Sequence, residues 1–497
     1  MKLKIQRPSG PFVLYPFFLL LLFVFNTFRR KLLFAPLELK REAVFLIFVL
    51  VFWLLVQFIF SKACKEKIRG GIVALFVLLF SLFYFDIYYS LFGIKFIYNL
   101  VYYNLFQKFH IVLFLLMGLL VFTVFLLLKR AKGKLTGLNN YLNLIFALFL
   151  LWEIYQFAFQ NLFAVKLQDK INTSSIKIQQ EKRRNVYFIV LDAYTGSPNL
   201  KKFWNYDNKE LTGFLKDKGF FVAEKSRSNY NSTPFSIAST LNLSYLNLKS
   251  YEEAQKVQIS QVYDLVNNSV VVRTFAENGY RIINQSIFDL GGKTALYNDP
   301  NYHQINLFDR TVFFLFTEKL NITDEDALTR NLGEENLKIF SRLNSIELQH
   351  IQPVFCYAHL MMPHLPFFYD ERGNKMSEEY ARNEESRKEK YLKQLKYTNQ
   401  LLMNAIDNIL AHEKGKPIII IQGDHGFRDL KEIPYEERLS EASTIFNVYL
   451  FPDSTSERSL YDSISPVNSF RVVFNTCFGT SLPLLKDEAF NTELKGK

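Results

Sequence analysis

The sequence predicts a bundle of about five membrane-spanning helices followed by an α/β domain with a largely parallel central sheet. Three observations predict it. Apolar residues make up 49% of the 497 residues and Phe occurs 51 times, with the excess concentrated before residue 163. That region contains runs close to the roughly 20 apolar residues a helix needs to cross a bilayer core. After residue 185, short β-branched runs alternate with polar-faced helical stretches, the pattern of an α/β sheet domain.

The expected boundaries are a transmembrane domain at 1–162, a Lys/Gln/Ser-rich linker at 163–184 and the α/β domain at 185–497. The net charge of +12 suits either nucleic acid or an anionic membrane. Much of that charge lies in short loops between apolar runs, and the second half has no basic stripe interleaved with aromatics. The expected partner is therefore the lipid bilayer, and nucleic acid is excluded. Cys64, Cys356 and Cys477 lie far apart with no CxxC spacing, which excludes a zinc knuckle or thioredoxin-type site. Cys356 and Cys477 are expected as buried thiols. Nothing in the sequence specifies an oligomeric state.

The apolar runs cover about 12–28, 43–61, 71–93, 110–128 and 141–160. Any one alone could be a buried core helix. Their succession, separated by charged loops, predicts membrane helices. Lys2, Lys4 and Arg7 precede the first run, Lys62 to Arg69 follow the second, and Lys129 to Lys134 follow the fourth. These groups share one side, so the positive-inside rule places the N-terminus in the cytoplasm. The cluster Arg29–Arg41 opposes that reading, because it falls on the other side. An odd number of crossings then puts the α/β domain outside the cytoplasmic membrane, on the periplasmic side. The first run lacks a small-x-small cleavage pattern and is followed by Arg29-Arg30, so it reads as an uncleaved helix. Asp86 and Glu153 lie in or beside apolar runs, where carboxylates mark transport sites or pair with a neighbouring helix. The absence of an internal repeat argues against a transporter.

In the second half, Asn185–Leu191 (NVYFIVL) reads as a buried strand. A helix at Glu210–Lys218 stops at Gly219 and leads to a short Phe220–Val222 strand. A helix starts at Thr233 and runs to Leu241, and another covers Ser260–Glu277. Then come a Tyr280–Asn284 strand, a Leu332–Gln349 helix, a Val354–Ala358 strand and a long charged helix at about Ser377–Glu413. The strands Ile418–Ile421 and Ile445–Phe451 and a helix at Pro466–Phe478 complete the order.

The chain is organised around KPIIIIQGDHG at Lys416–Gly426. Pro417 ends what precedes it, and the isoleucines form a fully buried strand. Asp424 and His425 follow at its carboxyl end, where open α/β sheets place ligands. Gly423 and Gly426 would let the backbone approach a ligand closely. NVYFIVL is likewise followed by Asp192, so two carboxylates and an imidazole can converge on a metal ion. A lone strand-end Asp is as often a turn former. Ser228–Asn242, SNYNSTPFSIASTLN, opens a helix with a dense set of hydroxyls. A hydroxyl there faces free amides and the positive end of the helix dipole, a setting for an attacking oxygen and a bound phosphate or sulfate. Its bland counterpart is an ordinary N-cap. Spacing alone leaves Ser232, Thr233 and Ser236 as alternatives. His359 and His364, in AHLMMPHLPF, follow a predicted strand and could bind metal or contact a substrate oxyanion.

These motifs together resemble the alkaline phosphatase/sulfatase superfamily. The layout resembles its bacterial membrane-anchored branch, the lipoteichoic acid synthases and phosphoethanolamine transferases. The resemblance spans essentially the whole chain. It rests on NVYFIVLDAY at Asn185–Tyr194, the Thr-x-x-Ser helix start at Thr233–Ser236, the PHLPF loop and IIIIQGDHG. It implies a sulfatase-like hydrolase or transferase acting on phosphate or sulfate esters of envelope lipid or glycan. By that resemblance Asp192, Asp424 and His425 are metal ligands, and Thr233 is the nucleophile that also touches the metal. His364 lies near the substrate's anionic group, whereas His359 has no clear counterpart and stands as a further substrate-binding candidate.

Typical sulfatases carry Cys-x-Pro-x-Arg, with the Cys converted to formylglycine. Here Ser232-Thr233-Pro234-Phe235-Ser236 stands in its place, which favours an unmodified Thr233 over a sulfuric ester hydrolase using a modified Ser232. Ala193 replaces a second Asp, and no histidine follows His425. One divalent ion is therefore implied, with Zn, Mn, Mg and Ca all compatible with carboxylate and imidazole. The rival from another class is a non-catalytic membrane protein with a degenerate sulfatase-like binding domain.

Overall fold

A computed structural model of the protein describes residues 11–30, 36–92, 106–162, 167, 176–257, 259–296, 307–308, 311–313, 325–344, 352–377, 380, 386–413, 415–452 and 459–495. The chain divides into two compact units. One comprises Met1–Ala164 with Gln304–Glu325, the other Val165–His303 with Asp326–Lys497. The return of Gln304–Glu325 to the first unit was not expected from the sequence.

In the first unit every predicted apolar run falls in helix: α1 (Tyr15–Arg30), α2 (Pro36–Cys64), α3 (Lys67–Leu82), α4 (Tyr84–Phe92), α5 (Phe106–Arg130) and α6 (Thr136–Leu162). The third run splits at Phe83. Three stretches are long and apolar enough to cross a membrane: Ala43–Cys64, His110–Arg130 and Thr136–Gln156. The other two predicted spans are shorter. α1 and α3 each have 16 residues, about 24 Å of helix, against a hydrocarbon core of about 30 Å. Large apolar side chains such as Ile47, Phe58, Leu119 and Leu151 point outward from α2, α5 and α6, as helices solvated by lipid require. Near the start of α3, Arg69 donates to the carbonyls of Leu128 (3.0 Å), Ala131 (2.7 Å) and Gly133 (3.3 Å) and pairs with Glu66. It thereby satisfies carbonyls that the end of α5 leaves without helical partners. Glu153 accepts a hydrogen bond from Asn26 at 3.3 Å, a helix-to-helix pairing that accounts for a carboxylate in an apolar run.

The second unit is built on a six-stranded sheet. Its strands are β1 (Val186–Leu191), β2 (Phe221–Val222), β3 (Arg281–Gln285), β4 (Val354–Leu360), β5 (Ile418–Gly423) and β6 (Asn447–Leu450), in the order β2-β6-β5-β1-β4-β3. β5, β1, β4 and β3 are parallel, and β6 runs antiparallel to both β5 and β2. The helices are α7 (Ser197–Trp204), α8 (Lys209–Asp217), α9 (Thr233–Leu241), α10 (Ile259–Asn267), α11 (Val270–Glu277), α12 (Glu325–Asn344), α13 (Arg387–His412), α14 (Tyr435–Ser443) and α15 (Pro466–Phe478), with a single turn at Tyr251–Ala254.

The central strands are apolar throughout because both faces are covered. Val186, Phe188 and Val190 of β1 enter one core with Ile418 and Ile420 of β5; Tyr187, Ile189 and Leu191 enter the other with Ile419 and Ile421. Each such fully buried side chain contributes about 1.5–3 kcal/mol of transfer free energy.

Several expectations change. The helix expected at Ser260–Glu277 is two, because the Asn242 side chain accepts the Val270 amide (3.2 Å) and starts a new helix there. α7 and α14 were not anticipated. α12 begins earlier than expected, and 345–350 lie outside the described residues, as do 378–379 and 381–385 of the expected Ser377–Glu413 helix. Cys356 is buried, its thiol pushed up to about 12 by burial, whereas Cys477 is half-buried. β4 runs two residues further than predicted, so His359 lies inside the strand and not in the loop after it. The extension follows from pairing: Val190 faces His359 and Leu191 faces Leu360 across the ladder.

Leu191 also faces Gly423 of β5. The tips of β4, β1 and β5 are therefore flush, and whatever follows one tip meets whatever follows its neighbours. Ile420→Ala, which removes a side chain from the middle of β5, is expected to lower stability by about 2–5 kcal/mol, read as a fall in the thermal unfolding midpoint of the full chain in detergent.

Candidate functional site

Asp192 follows β1 and Asp424 follows β5, and both are buried. The Asp192 amide donates to the Leu360 carbonyl (2.9 Å), and its own carbonyl accepts the His364 amide (3.1 Å). Ala193 takes a left-handed conformation, φ 57°. That turn aims its amide at Asp424 Oδ1 (3.0 Å), which also accepts the His425 amide (2.9 Å). Asp424 is thus oriented by two backbone donors, and its Oδ2 and Asp192 Oδ1 have no hydrogen-bond partner.

His359 and His425 face this pair. His425 Nε2 lies 3.5 Å from Asp192 Oδ1 and 3.5 Å from Asp424 Oδ2. Its Nδ1 lies 2.7 Å from the Gly426 carbonyl, an acceptor only, so Nδ1 carries the proton and Nε2 presents a lone pair. Burial, and then the Arg428 charge, push the His425 pKa down and favour that neutral form. His359 Nε2 lies 3.6 Å from Asp192 Oδ2, and its Nδ1 is 2.8 Å from the Tyr357 hydroxyl. Burial alone would raise the Asp192 carboxyl; the electrostatic pull of His364 and the neighbouring His359 outweighs it and holds the group well below the usual carboxylate range.

The ligand atoms of Asp192, His359 and Asp424 all lie within 4.8 Å of one another, a buried group that can hold a metal ion. The donor set fits such an ion. Two buried carboxylates carry two negative charges that a divalent cation cancels, and their unpartnered oxygens converge with an imidazole lone pair.

Thr233 stands at the first turn of α9, its Oγ1 3.2 Å from His425 Nε2. Ser232 is the N-cap and its side chain makes no capping bond. Ser236 is otherwise engaged, donating to the Asp424 carbonyl at 2.6 Å. It bolts α9 to the tip of β5, which brings Thr233 to the carboxylates. The loop before α9 is held from elsewhere. Asn229 Oδ1 accepts the Val467 amide at the start of α15 (2.7 Å), and Asn231 Oδ1 accepts the Thr492 amide (2.7 Å). This gives Ser465–Arg471 a structural part, completed by Arg471, which donates to the Leu243 carbonyl.

His364 sits at the half-buried mouth of the site in the PHLPF loop. Its Nδ1 meets the Leu365 carbonyl, and its Nε2 lies 3.5 Å from Arg428 Nη2. Buried Gln394 of α13 fixes this loop by donating to the carbonyls of Pro363, His364 and Pro366 and accepting the Phe368 amide at 2.6 Å.

Arg428 was not anticipated, although a cation three residues after the Asp-His pair was a readable signal. Its Nη1 donates to the Asn231 carbonyl at 3.3 Å and lies 3.6 Å from Glu493. The glycines play another part than expected. A Cβ on Gly426 would lie 1.9 Å from the Glu441 carbonyl, and one on Gly423 2.6 Å from the Tyr194 carbonyl. They admit neighbouring backbone.

Glu441 underpins the Asp424–His425 turn. It accepts from Thr195 Oγ1 (2.8 Å) and Trp204 Nε1 (2.9 Å), while Thr195 Oγ1 accepts the Phe427 amide (3.0 Å). Burial pushes its pKa up to about 7. A carboxyl raised in the folded state contributes stability that is complete below the unfolded value and lost as pH rises through about 7. Glu441→Gln mimics the protonated form. It is expected to stabilise the fold over wild type at pH 8 by up to about 3 kcal/mol, read as a rise in the unfolding midpoint, with the difference gone by about pH 4.

The sulfatase family profile matches residues 207–444. No curated protein matches the chain. Among solved structures, the C-terminal periplasmic domain of EcEptC from Escherichia coli in complex with Zn aligns at 10% identity, TM-score 0.39, over 64% of this chain and 90% of that one. The integral membrane lipooligosaccharide phosphoethanolamine transferase A of Neisseria meningitidis aligns at 13% identity, TM-score 0.40, over 74% and 69%. A Bacteroides thetaiotaomicron protein of a glycosaminoglycan-metabolism locus (BT33494S-sulf) aligns at 14% identity, TM-score 0.38, over 60% and 73%. Over residues 207–444, a little under half of the chain, the α/β domain is thus similar to the sulfatase family.

Proposed function

We propose that the protein is a membrane-anchored, divalent-metal-dependent hydrolase or transferase that cleaves a phosphate or sulfate ester of an envelope lipid or glycan through Thr233. The observation that carries this reading is the convergence of Asp192, Asp424 and His425 with the Thr233 hydroxyl 3.2 Å from the imidazole. Five membrane crossings, with the α/β domain on the periplasmic side, are part of the proposal, as are the boundaries 1–162, 163–184 and 185–497.

Asp192, Asp424 and His425 would hold the ion, with His359 as a further ligand. When bound, the ion lowers the pKa of a neighbouring hydroxyl and offsets negative charge developing on the ester. Thr233 Oγ1 forms a bond to phosphorus (or sulfur) as the bond to the leaving oxygen breaks, and the hydroxyl proton ends on the departing alcohol. The amides at the start of α9 face the developing charge, and the dipole of α9 favours it. His364, at the mouth, contacts the anionic oxygens of the ester. Water or an acceptor hydroxyl then releases the group from Thr233. Membrane attachment raises the local concentration of a lipid-linked donor.

Mass spectrometry of the peptide spanning 228–242, after incubation with candidate esters, is expected to show a phosphoryl or sulfuryl adduct on Thr233. Thr233→Ala should remove the adduct and about 10³-fold or more of turnover. An unmodified peptide with full activity in Thr233→Ala would sink the proposal; a formylglycine at 232 would instead establish the modified-serine sulfatase. Equilibrium dialysis with Zn²⁺ or Mn²⁺ is expected to give one tightly held ion per chain. Asp424→Asn should weaken that binding by about 100-fold or more. Absence of any bound ion would favour a non-catalytic binding domain.

A further inference from the structure

Leu307, Phe308, Thr311, Val312 and Phe313 come from the second half of the sequence yet belong to the helical unit. Leu307 and Thr311 are fully buried there. The Phe308 ring meets Phe45 edge-on at 5.4 Å. Phe313 meets Phe48 at 5.1 Å and Phe52 at 5.3 Å in the same geometry. Val312 packs with Tyr84, Tyr88, Leu113 and Met117. These contacts touch α2, α4 and α5.

The contacts have a polarity. Phe45 is near the start of α2, Tyr84 follows the end of α3, and Leu113 is near the start of α5. The opposite ends of the same helices carry Lys62, Lys65, Lys67, Arg69, Lys129 and Arg130. The other ends of α2 and α5 carry Lys40, Arg41 and Lys108, so one end of the unit is the more basic and the other the aromatic one, and Leu307, Phe308, Thr311, Val312 and Phe313 sit at the aromatic end. The contacts also have a depth. At about 1.5 Å of rise per residue, Phe48 lies about 8 Å and Phe52 about 14 Å from Ala43, the first residue of that span. In a hydrocarbon core about 30 Å thick, this is acyl-chain depth and not headgroup depth. The surrounding surface of α2, including Ile47, Val51 and Leu54, is exposed and apolar. Backbone polar groups at such depth need protein partners. Phe308 lies in a 3-10 turn, Val312 and Phe313 are helical, and the Thr311 amide (3.0 Å) and hydroxyl (2.7 Å) both donate to the Phe308 carbonyl.

We infer that Leu307, Phe308, Thr311, Val312 and Phe313 form a membrane-inserted wedge. It enters the leaflet opposite the basic loops, its rings lie against α2 among the acyl chains, and the partner it fits is the lipid bilayer. By the positive-inside rule that leaflet is the outer one.

The test uses the full chain in proteoliposomes, with Cys64, Cys356 and Cys477 replaced by Ala and a spin label on Phe313→Cys. The expected result is relaxation by oxygen and loss of relaxation by an aqueous nickel complex. The same label on exposed Lys249→Cys should respond to nickel. Nickel relaxation at 313 as strong as at 249 would overturn the wedge. If the cysteine-free chain fails to fold, Phe313→p-benzoylphenylalanine in the otherwise natural sequence replaces it. Photo-adducts with lipid or with residues 43–64 support the wedge, and adducts only to other residues, or none, overturn it.

Discussion

Everything at the site depends on two negative charges held together out of water. The ladder aligns Leu360, Leu191 and Gly423, and the residues after two of those tips are aspartates. Neither carboxylate can retreat, because each is fixed by the backbone that follows it: Asp192 through the Leu360 carbonyl and the His364 amide, Asp424 through the amides of Ala193 and His425. In a dry interior such a pair is costly unless positive charge lies between its members. The oxygens left without partners point to where that charge belongs. The left-handed Ala193, the glycines pressed on neighbouring carbonyls and the Ser236 bolt all serve to keep this arrangement closed.

Much of this was legible in the sequence for a physical reason. Asp192 and Asp424–His425 follow apolar runs too short for helices and too apolar for surface loops, so their place at strand tips could be read directly. His359 was misplaced because AHLMM carries no turn residue to mark a strand end; pairing with Val190 and Leu191, a non-local interaction, sets the end. Arg428 carried a readable signal in its place after Asp424–His425, but its partner His364 is 64 residues away; Glu441 was invisible because its partner Thr195 is 246 residues away in sequence. Glycine was legible as a requirement but not as to its cause, since a close approach to ligand and a close approach to backbone look alike in a sequence.

The helical unit shows a different limit. Apolar runs located the described helices before residue 163, because composition alone separates lipid-solvated segments from the rest. Composition did not reveal that α3 would break at Phe83, nor that Phe308 and Phe313, far on in the sequence, would join Phe45, Phe48 and Phe52 of α2. Local hydropathy reports what solvates a helix, and it is silent on which distant residues displace that solvent.

The asparagines before α9 have a consequence in time. Tyr230 pairs with Phe490, the Phe490 amide donates to the Asn229 carbonyl (2.8 Å), and Asn231 receives Thr492. These partners are synthesised some 260 residues after the loop they brace. A nascent chain whose early helices are already inserted still carries an unfinished Thr233 loop, and it stays so until residues 488–492 have emerged and docked. The loop before α9 therefore takes its final form only after translation of the residues that brace it.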